Sequence, residues 1–171
     1  MRNTYIKVNT MRKLICMALA AVMALGLTAC GGGDEKKEFA DFSVQALMED
    51  MLTRVTIDDP LTLTEPDMLD FFGIKGESMR EFAAVTCANG ISAQEIVLVK
   101  AVDEDTGIEI MGKLADRMDA RAAEAENYLP DQYAIISECQ VARYGLYVAM
   151  IIHPGHEELD DLFLSYVMGE N

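Results

Sequence analysis

The sequence predicts an α+β domain in which two β-hairpins form one antiparallel sheet packed with amphipathic helices, in the order α-ββ-α-ββ-α. Three observations carry this expectation. Residues 82–88 with 95–102, and residues 139–143 with 146–152, are two β-compatible pairs that bracket the turn signals Asn89-Gly90 and Tyr144-Gly145. Apolar residues recur at helical spacing before, between and after these pairs. The stretch 146–152 is apolar almost throughout, as suits a central strand covered on both faces.

In chain order, Val44, Leu47, Met48, Met51 and Val55 draw a helix over 43–55 with Ser43 as its cap. Asp59-Pro60 breaks that pattern, Leu61 and Leu63 read as a short extended piece, and Thr64-Glu65-Pro66-Asp67 opens a short helix ending at Gly73. Ser78 with Glu81 gives a second capping signal and predicts one more helical turn before the sheet. Between the hairpins, Thr106-Gly107-Ile108-Glu109 reads as a capping box. From there Met111, Leu114, Ala115, Met118, Ala122, Ala125 and Leu129 mark one helical face, closed by Pro130. Asp131-Gln132-Tyr133 carry the helix on for a turn or two. Leu159, Leu162, Phe163, Tyr166 and Val167 form a last helix, with Glu157, Glu158, Asp160 and Asp161 near its positive end.

The folded part is preceded by a targeting segment. Arg12 and Lys13 are followed by an apolar run from Leu14 to Leu27, well short of the roughly twenty residues that span a bilayer. The run closes on Leu27-Thr28-Ala29-Cys30, which resembles the lipobox of bacterial lipoproteins, and the resemblance implies cleavage before Cys30 and a diacylglyceryl group on its thiol. An ordinary secretory signal and an uncleaved anchor are the alternatives. Residues 1–29 are thus expected to be a signal peptide, and a complete leader can also be read from Met11. Residues 30–41, with Gly31-Gly32-Gly33 and Asp34-Glu35-Lys36-Lys37-Glu38, are expected to form a lipidated, solvated tether with a reach of about 15–20 Å. Residues 42–171 form a single domain, held at the extracytoplasmic face of the cell membrane through the anchor at Cys30.

All 29 acids but only 10 of the 14 bases lie beyond Cys30, so the mature part carries a formal charge of −19. Such a surface repels nucleic-acid phosphates and excludes nucleic acid as a partner.

Four stretches resemble a known family: Asp70-Phe71-Phe72-Gly73-Ile74; Ser92-Ala93-Gln94-Glu95-Ile96 leading to Val99-Lys100-Ala101; Asp131-Gln132-Tyr133; and Gly145-Leu146-Tyr147-Val148. In their order and spacing they are similar to small lipoproteins of low-GC Gram-positive bacteria that carry a domain of unknown function, the 4358-numbered one, over about residues 43–168. The resemblance supports the address and the domain limits, and brings no cofactor or catalytic residue.

Chemistry-bearing motifs are sparse. His153-Pro154-Gly155-His156-Glu157 holds both histidines beside acids at a strand end, where a metal site or general base could be placed. It lacks the order of the zinc-protease helix, and a solvated loop capping the next helix is the rival reading. Asp103-Glu104-Asp105 suggests a calcium loop, but Ile108 and Leu114 stand where that loop needs a glycine and an acid. A solvated turn plus helix cap explains it better. Cys87 and Cys139, one in each hairpin, are either a disulfide or two buried thiols, and neither sits in a nucleophile motif beside a histidine. No serine lies in a G-x-S-x-G elbow and no phosphate-binding glycine loop occurs. Met48, Met51, Met111, Met118 and Met150 fall on apolar faces and are expected in the core. No catalytic residue, metal or cofactor is assigned. The expected function is a non-catalytic binding or accessory module of the cell envelope that engages an envelope protein or ligand. The alternative is a metal-dependent envelope hydrolase built on His153, His156 and Glu157.

Overall fold

The computed structural model describes residues 39–170. The signal peptide, the acylation at Cys30 and the tether as far as residue 38 lie outside the described residues. Along the described chain run α1 (Val44–Arg54), β1 (Pro60–Thr62), α2 (Glu65–Phe72), a 3₁₀ turn (Gly76–Ser78), β2 (Met79–Cys87), β3 (Glu95–Ala101), α3 (Glu104–Ala125), α4 (Pro130–Glu138), β4 (Val141–Tyr144), β5 (Tyr147–Ile152) and α5 (His156–Met168). The strands form one antiparallel sheet in the order β1-β2-β3-β5-β4. The α+β class and both hairpins are as the sequence predicts, and the extended piece at Leu61 becomes a fifth strand on the edge beside β2.

The alternation of side chains along a strand sorts the core into two layers. Ala83, Val85, Ile96, Leu98, Ala149 and Ile151 face α1 and α5, where they meet Leu47, Met51, Leu159 and Phe163. Ala84, Val97, Val99, Val148, Met150 and Ile152 face α2, α3 and α4, where they meet Met68, Phe72, Leu114, Met118 and Ile136. The sheet is therefore covered on both faces, and all six residues of β5 are buried. That is why residues 146–152 read as a continuous apolar run. Met48, Met51, Met118 and Met150 are core residues, and Met111 packs at the margin. Glu38–Asn171 is a compact unit, and it holds both of these apolar layers.

Helix ends follow capping chemistry, with two departures from expectation. Ser43 caps α1 by accepting from the Ala46 amide, and Thr64 with Asp67 forms a capping box on α2, which ends on left-handed Gly73. The helical turn expected before the sheet is present as the 3₁₀ turn, but it ends at Ser78 instead of starting there. Met79 is already paired with Ala101, and a bulge between Met79 and Glu81 carries Arg80. Ladder bonds there outweigh the local cap. The capping box expected at Thr106 is likewise displaced: α3 starts three residues earlier, because the Asp103 carboxylate accepts from the Thr106 amide at 2.8 Å. Asp is the stronger cap, and Glu104 and Asp105 then fall in the first turn, where the helix dipole favours acids. Beyond Pro130 the helical continuation is a full element, α4.

The solvated tether was expected to extend to residue 41, but its last three residues are docked. The Ala40 amide donates to Val167 O at 2.9 Å, Phe39 sits edge-on to Tyr144, and Asp41 is salt-bridged to Lys100. Next to them Phe42 stacks on Tyr147 with centroids 4.0 Å apart. The Tyr147 hydroxyl accepts from the Phe42 amide at 3.0 Å and donates to Asp41 at 2.7 Å. Gly145 makes room for this latch. Its φ of +56° suits the β4–β5 turn, and a Cβ there would lie 2.8 Å from the Phe39 ring.

Candidate functional site

The histidine cluster is taken up by the fold. His153 is 8% exposed; its Nδ1 accepts from the Gly155 amide at 2.9 Å and its Nε2 lies 3.3 Å from Thr56 O. The Gly155 amide thereby occupies the Nδ1 lone pair a metal would need, and Nε2 faces the Thr56 carbonyl. His156 turns instead to Asp160, one helical turn on, at 3.4 Å, while Glu157 is exposed at the start of α5. Burial raises the Asp160 carboxyl above its ordinary range, partly offset by that histidine. Among the described residues no three His, Cys, Asp or Glu side chains gather in a metal-holding group, and neither imidazole bonds a hydroxyl or thiol. Cys87 and Cys139 are free and belong to opposite faces of the sheet, so the disulfide considered from the sequence is not formed. The Cys139 thiol donates to Ile135 O, and burial pushes its pKa up, which holds it as the unreactive thiol.

The most elaborate polar arrangement lies behind α3. Glu95 begins β3, is fully buried, and points to the α2–α4 side of the sheet. Arg117 of α3 grips it with a two-pronged fork, Nε to Oε1 at 3.1 Å and Nη2 to Oε2 at 3.0 Å, and the Thr86 hydroxyl donates to Oε2 at 3.3 Å. The guanidinium also lies 5.6 Å from the Phe72 ring and 6.0 Å from that of Phe71. A buried carboxylate is tolerated only with this degree of pairing, and the planar fork of Arg supplies it in the right geometry.

One turn further along α3, Arg121 presents the same fork, half filled. Its Nη2 donates to Ser92 O at 3.3 Å and its Nη1 lies 3.4 Å from Glu124. Its Nε is the one buried side-chain nitrogen or oxygen among the described residues that lacks a hydrogen-bond partner. Leaving such a donor unmatched costs about 1–3 kcal/mol, so native proteins rarely do so without a reason. Arg121 lines a cleft of about 120 Å³ between the β2–β3 loop and the α3–α4 elbow, with Gly90, Ile91, Ala93, Leu129 and Gln132. The loop wall is held in shape. Asn89 Oδ1 accepts from the amides of Ile91 and Ser92, and Gln132 of α4 accepts from the Ala93 amide at 2.8 Å. Ile91 in this wall is 67% exposed.

Fold and site together define a three-layer α+β domain with an antiparallel sheet and a polar seam under one helical layer. The chain belongs to the family described as Domain of unknown function (DUF4358), whose model matches residues 55–153. The match begins just after α1, ends before α5, and takes in Glu95, Arg117, Arg121 and the cleft. No curated protein and no solved structure matches the chain. Among the described residues no helix is long and apolar enough to cross a membrane.

Sequence reasoning did not single out Glu95, Arg117, Arg121 or Gln132 as a site. Yet three of the four family-like stretches meet there: Phe71 and Phe72 flank Arg117, the 92–96 stretch supplies Ser92, Ala93 and Glu95, and Gln132 closes the loop. The usable signal was a glutamate at the head of an apolar strand, with two arginines four residues apart beside the apolar stripe of a long helix. The fourth stretch, at Gly145 to Val148, contributes to the latch instead.

Proposed function

We propose that this protein is a lipid-anchored, extracytoplasmic module that binds a partner or ligand in the cell envelope and does not catalyse a reaction. The observation that carries the reading is the cleft at Arg121. Its Arg121 has a buried Nε without a partner and stands beside exposed Ile91; among the described residues this arginine is otherwise held by Ser92 O and the Glu124 carboxylate. Arginine is among the side chains enriched in recognition surfaces. The address rests on the leader and the Cys30 box in the sequence, and the docked residues 39–41 support it by marking where a tether would meet the domain. The hydrolase alternative through His153, His156 and Glu157 lacks comparable support, because the imidazoles are engaged by backbone and by Asp160. Stoichiometric zinc in the purified protein, lost on His153→Ala with His156→Ala, would restore it. The test of the main reading is mass spectrometry of the protein isolated from cells. The amino-terminal peptide should start at Cys30 and carry acyl mass on the thiol, whereas a full-length cytosolic chain with a free thiol at position 30 overturns the proposal.

A further inference from the structure

We infer that the Arg121 cleft is a receptor for an aliphatic carboxylate, either a small branched-chain acid or the carboxyl-terminal residue of a partner polypeptide. The inference rests on the reading of the domain as a binding module and names what its cleft takes. The template is internal. Arg117 and Arg121 stand one turn apart on α3, and the Nε–Nη2 edge of the first is filled by the two oxygens of Glu95. The same edge of the second holds one carbonyl, Ser92 O, and leaves Nε unmatched. Nε is itself buried, so a carboxylate oxygen reaches it with a shift of the Arg121 side chain towards the cleft and then completes the second fork as Glu95 completes the first; charge assistance makes a carboxylate a better acceptor than a neutral carbonyl. The walls set the rest of the ligand. Ile91, Ala93, Ala125 and Leu129 are aliphatic, and a volume of about 120 Å³ is a little below the roughly 150 Å³ that takes a benzene ring, which suits a branched stem of four or five carbons. Two features weaken the site. Glu124 competes for Nη1 from a position 68% exposed, and the field of an acidic domain repels anions. The expected dissociation constant is therefore about 1 mM for a free acid.

The test is nuclear magnetic resonance titration of the chain from Gly31 to Asn171, which contains the whole self-contained unit, at neutral pH. The probes are isovalerate, its neutral amide, and acetyl-Gly-Gly-Leu with a free or an amidated terminus. Isovalerate should shift the Arg121 Nε–H resonance and the amides of Ile91, Ala93 and Gln132, while the neutral amide binds at least about tenfold more weakly. Arg121→Lys, which keeps the charge but lacks the Nε donor, should lose about tenfold in affinity with the remaining spectrum unchanged, and Glu124→Gln should tighten binding several-fold. Tighter binding of the free tripeptide than of isovalerate identifies a polypeptide terminus as the source, and the reverse identifies a small acid. No shift at about 50 mM of either acid, equal binding of acid and amide, or undiminished binding by Arg121→Lys overturns the inference. Such a failure leaves acylation at Cys30 untouched, so the two proposals fail separately.

Discussion

The two faces of the sheet are built from different materials. The α1–α5 face is filled by apolar and aromatic side chains, with polar contacts at its margin, among which the Asp41–Lys100–Tyr147 group fastens the segment leading in from the amino terminus. The α2–α4 face has an apolar layer of similar extent, but it also buries a carboxylate, orders two arginines along one helix and leaves one of them incompletely bonded. The family match covers the helices of the second face and stops short of both helices of the first. Replacing a buried ion pair by hydrophobic residues of similar volume is often neutral for stability, so the Glu95–Arg117 pair is weak evidence of added stability. One face holds residues 39–41 against the domain, and the other presents a cleft.

Substitutions should separate the two constructions, and the largest effects come from the cores. Phe163→Ala on the α1–α5 face removes a buried ring and should destabilise by about 3–5 kcal/mol in denaturant unfolding, with no second deletion that recovers it. Glu95→Ala on the other face strands the Arg117 charge and should cost about 3 kcal/mol. Here the partner change does matter: Glu95→Met with Arg117→Met should recover most of the loss, since no charge is left without its mate. If the double variant is as unstable as the sum of the singles, the pair is not the unit described. A smaller effect is expected at the latch. Gly145→Ala meets both the left-handed backbone and the Phe39 ring, and should cost about 1–2 kcal/mol and free residues 39–41, seen as faster exchange of the Ala40 amide.

Smallest in energy, but diagnostic in sign, is the response of the latch to pH. The Lys100 ammonium, and after it the Tyr147 hydroxyl, hold the Asp41 carboxyl below its ordinary range, and Asp41 in turn raises Lys100. A lowered carboxylate contributes above its unfolded value, near about 4, and the contribution disappears as pH falls through the still lower folded value. A raised lysine contributes below its unfolded value, about 10.4, and is lost as pH rises through the folded one. The latch should therefore stay closed across neutral pH and open below about 4, with Asp41→Asn abolishing the acid step. Asp160, raised by burial, has the opposite sign and works against folding as pH rises through its folded value. Amide exchange at Ala40 and Phe42, followed from pH 7 to about pH 3, distinguishes the latch from general acid unfolding.

The fold was legible where periodicity and turn chemistry agree. The stripe of α3, the apolar run of β5, the glycine turn at Gly145 and the caps at Ser43 and Thr64 are local properties, and each appears where the sequence places it. Errors arose where two local signals compete. Asp103 outranks Thr106 as a cap, and ladder pairing claims Met79, so the helical turn ends at Ser78 instead of starting there. The seam was hidden for a different reason. Glu95 and Arg117 are 22 residues apart in a chain with 29 acids, so nothing marks this carboxylate until the sheet and α3 bring the two together. The conspicuous pair, His153 and His156, turned out to be bonded within the fold, because a buried ring at a strand end must satisfy its nitrogens locally.

The division of labour between the faces is tested most directly by hydrogen–deuterium exchange of the protein in whole-cell extract, compared with the isolated domain. The account predicts added protection in the β2–β3 loop around Ile91 and in the α3–α4 elbow around Gln132, with α1 and α5 unchanged. Protection that falls on α1 and α5 instead, or no difference between the two samples, would contradict it.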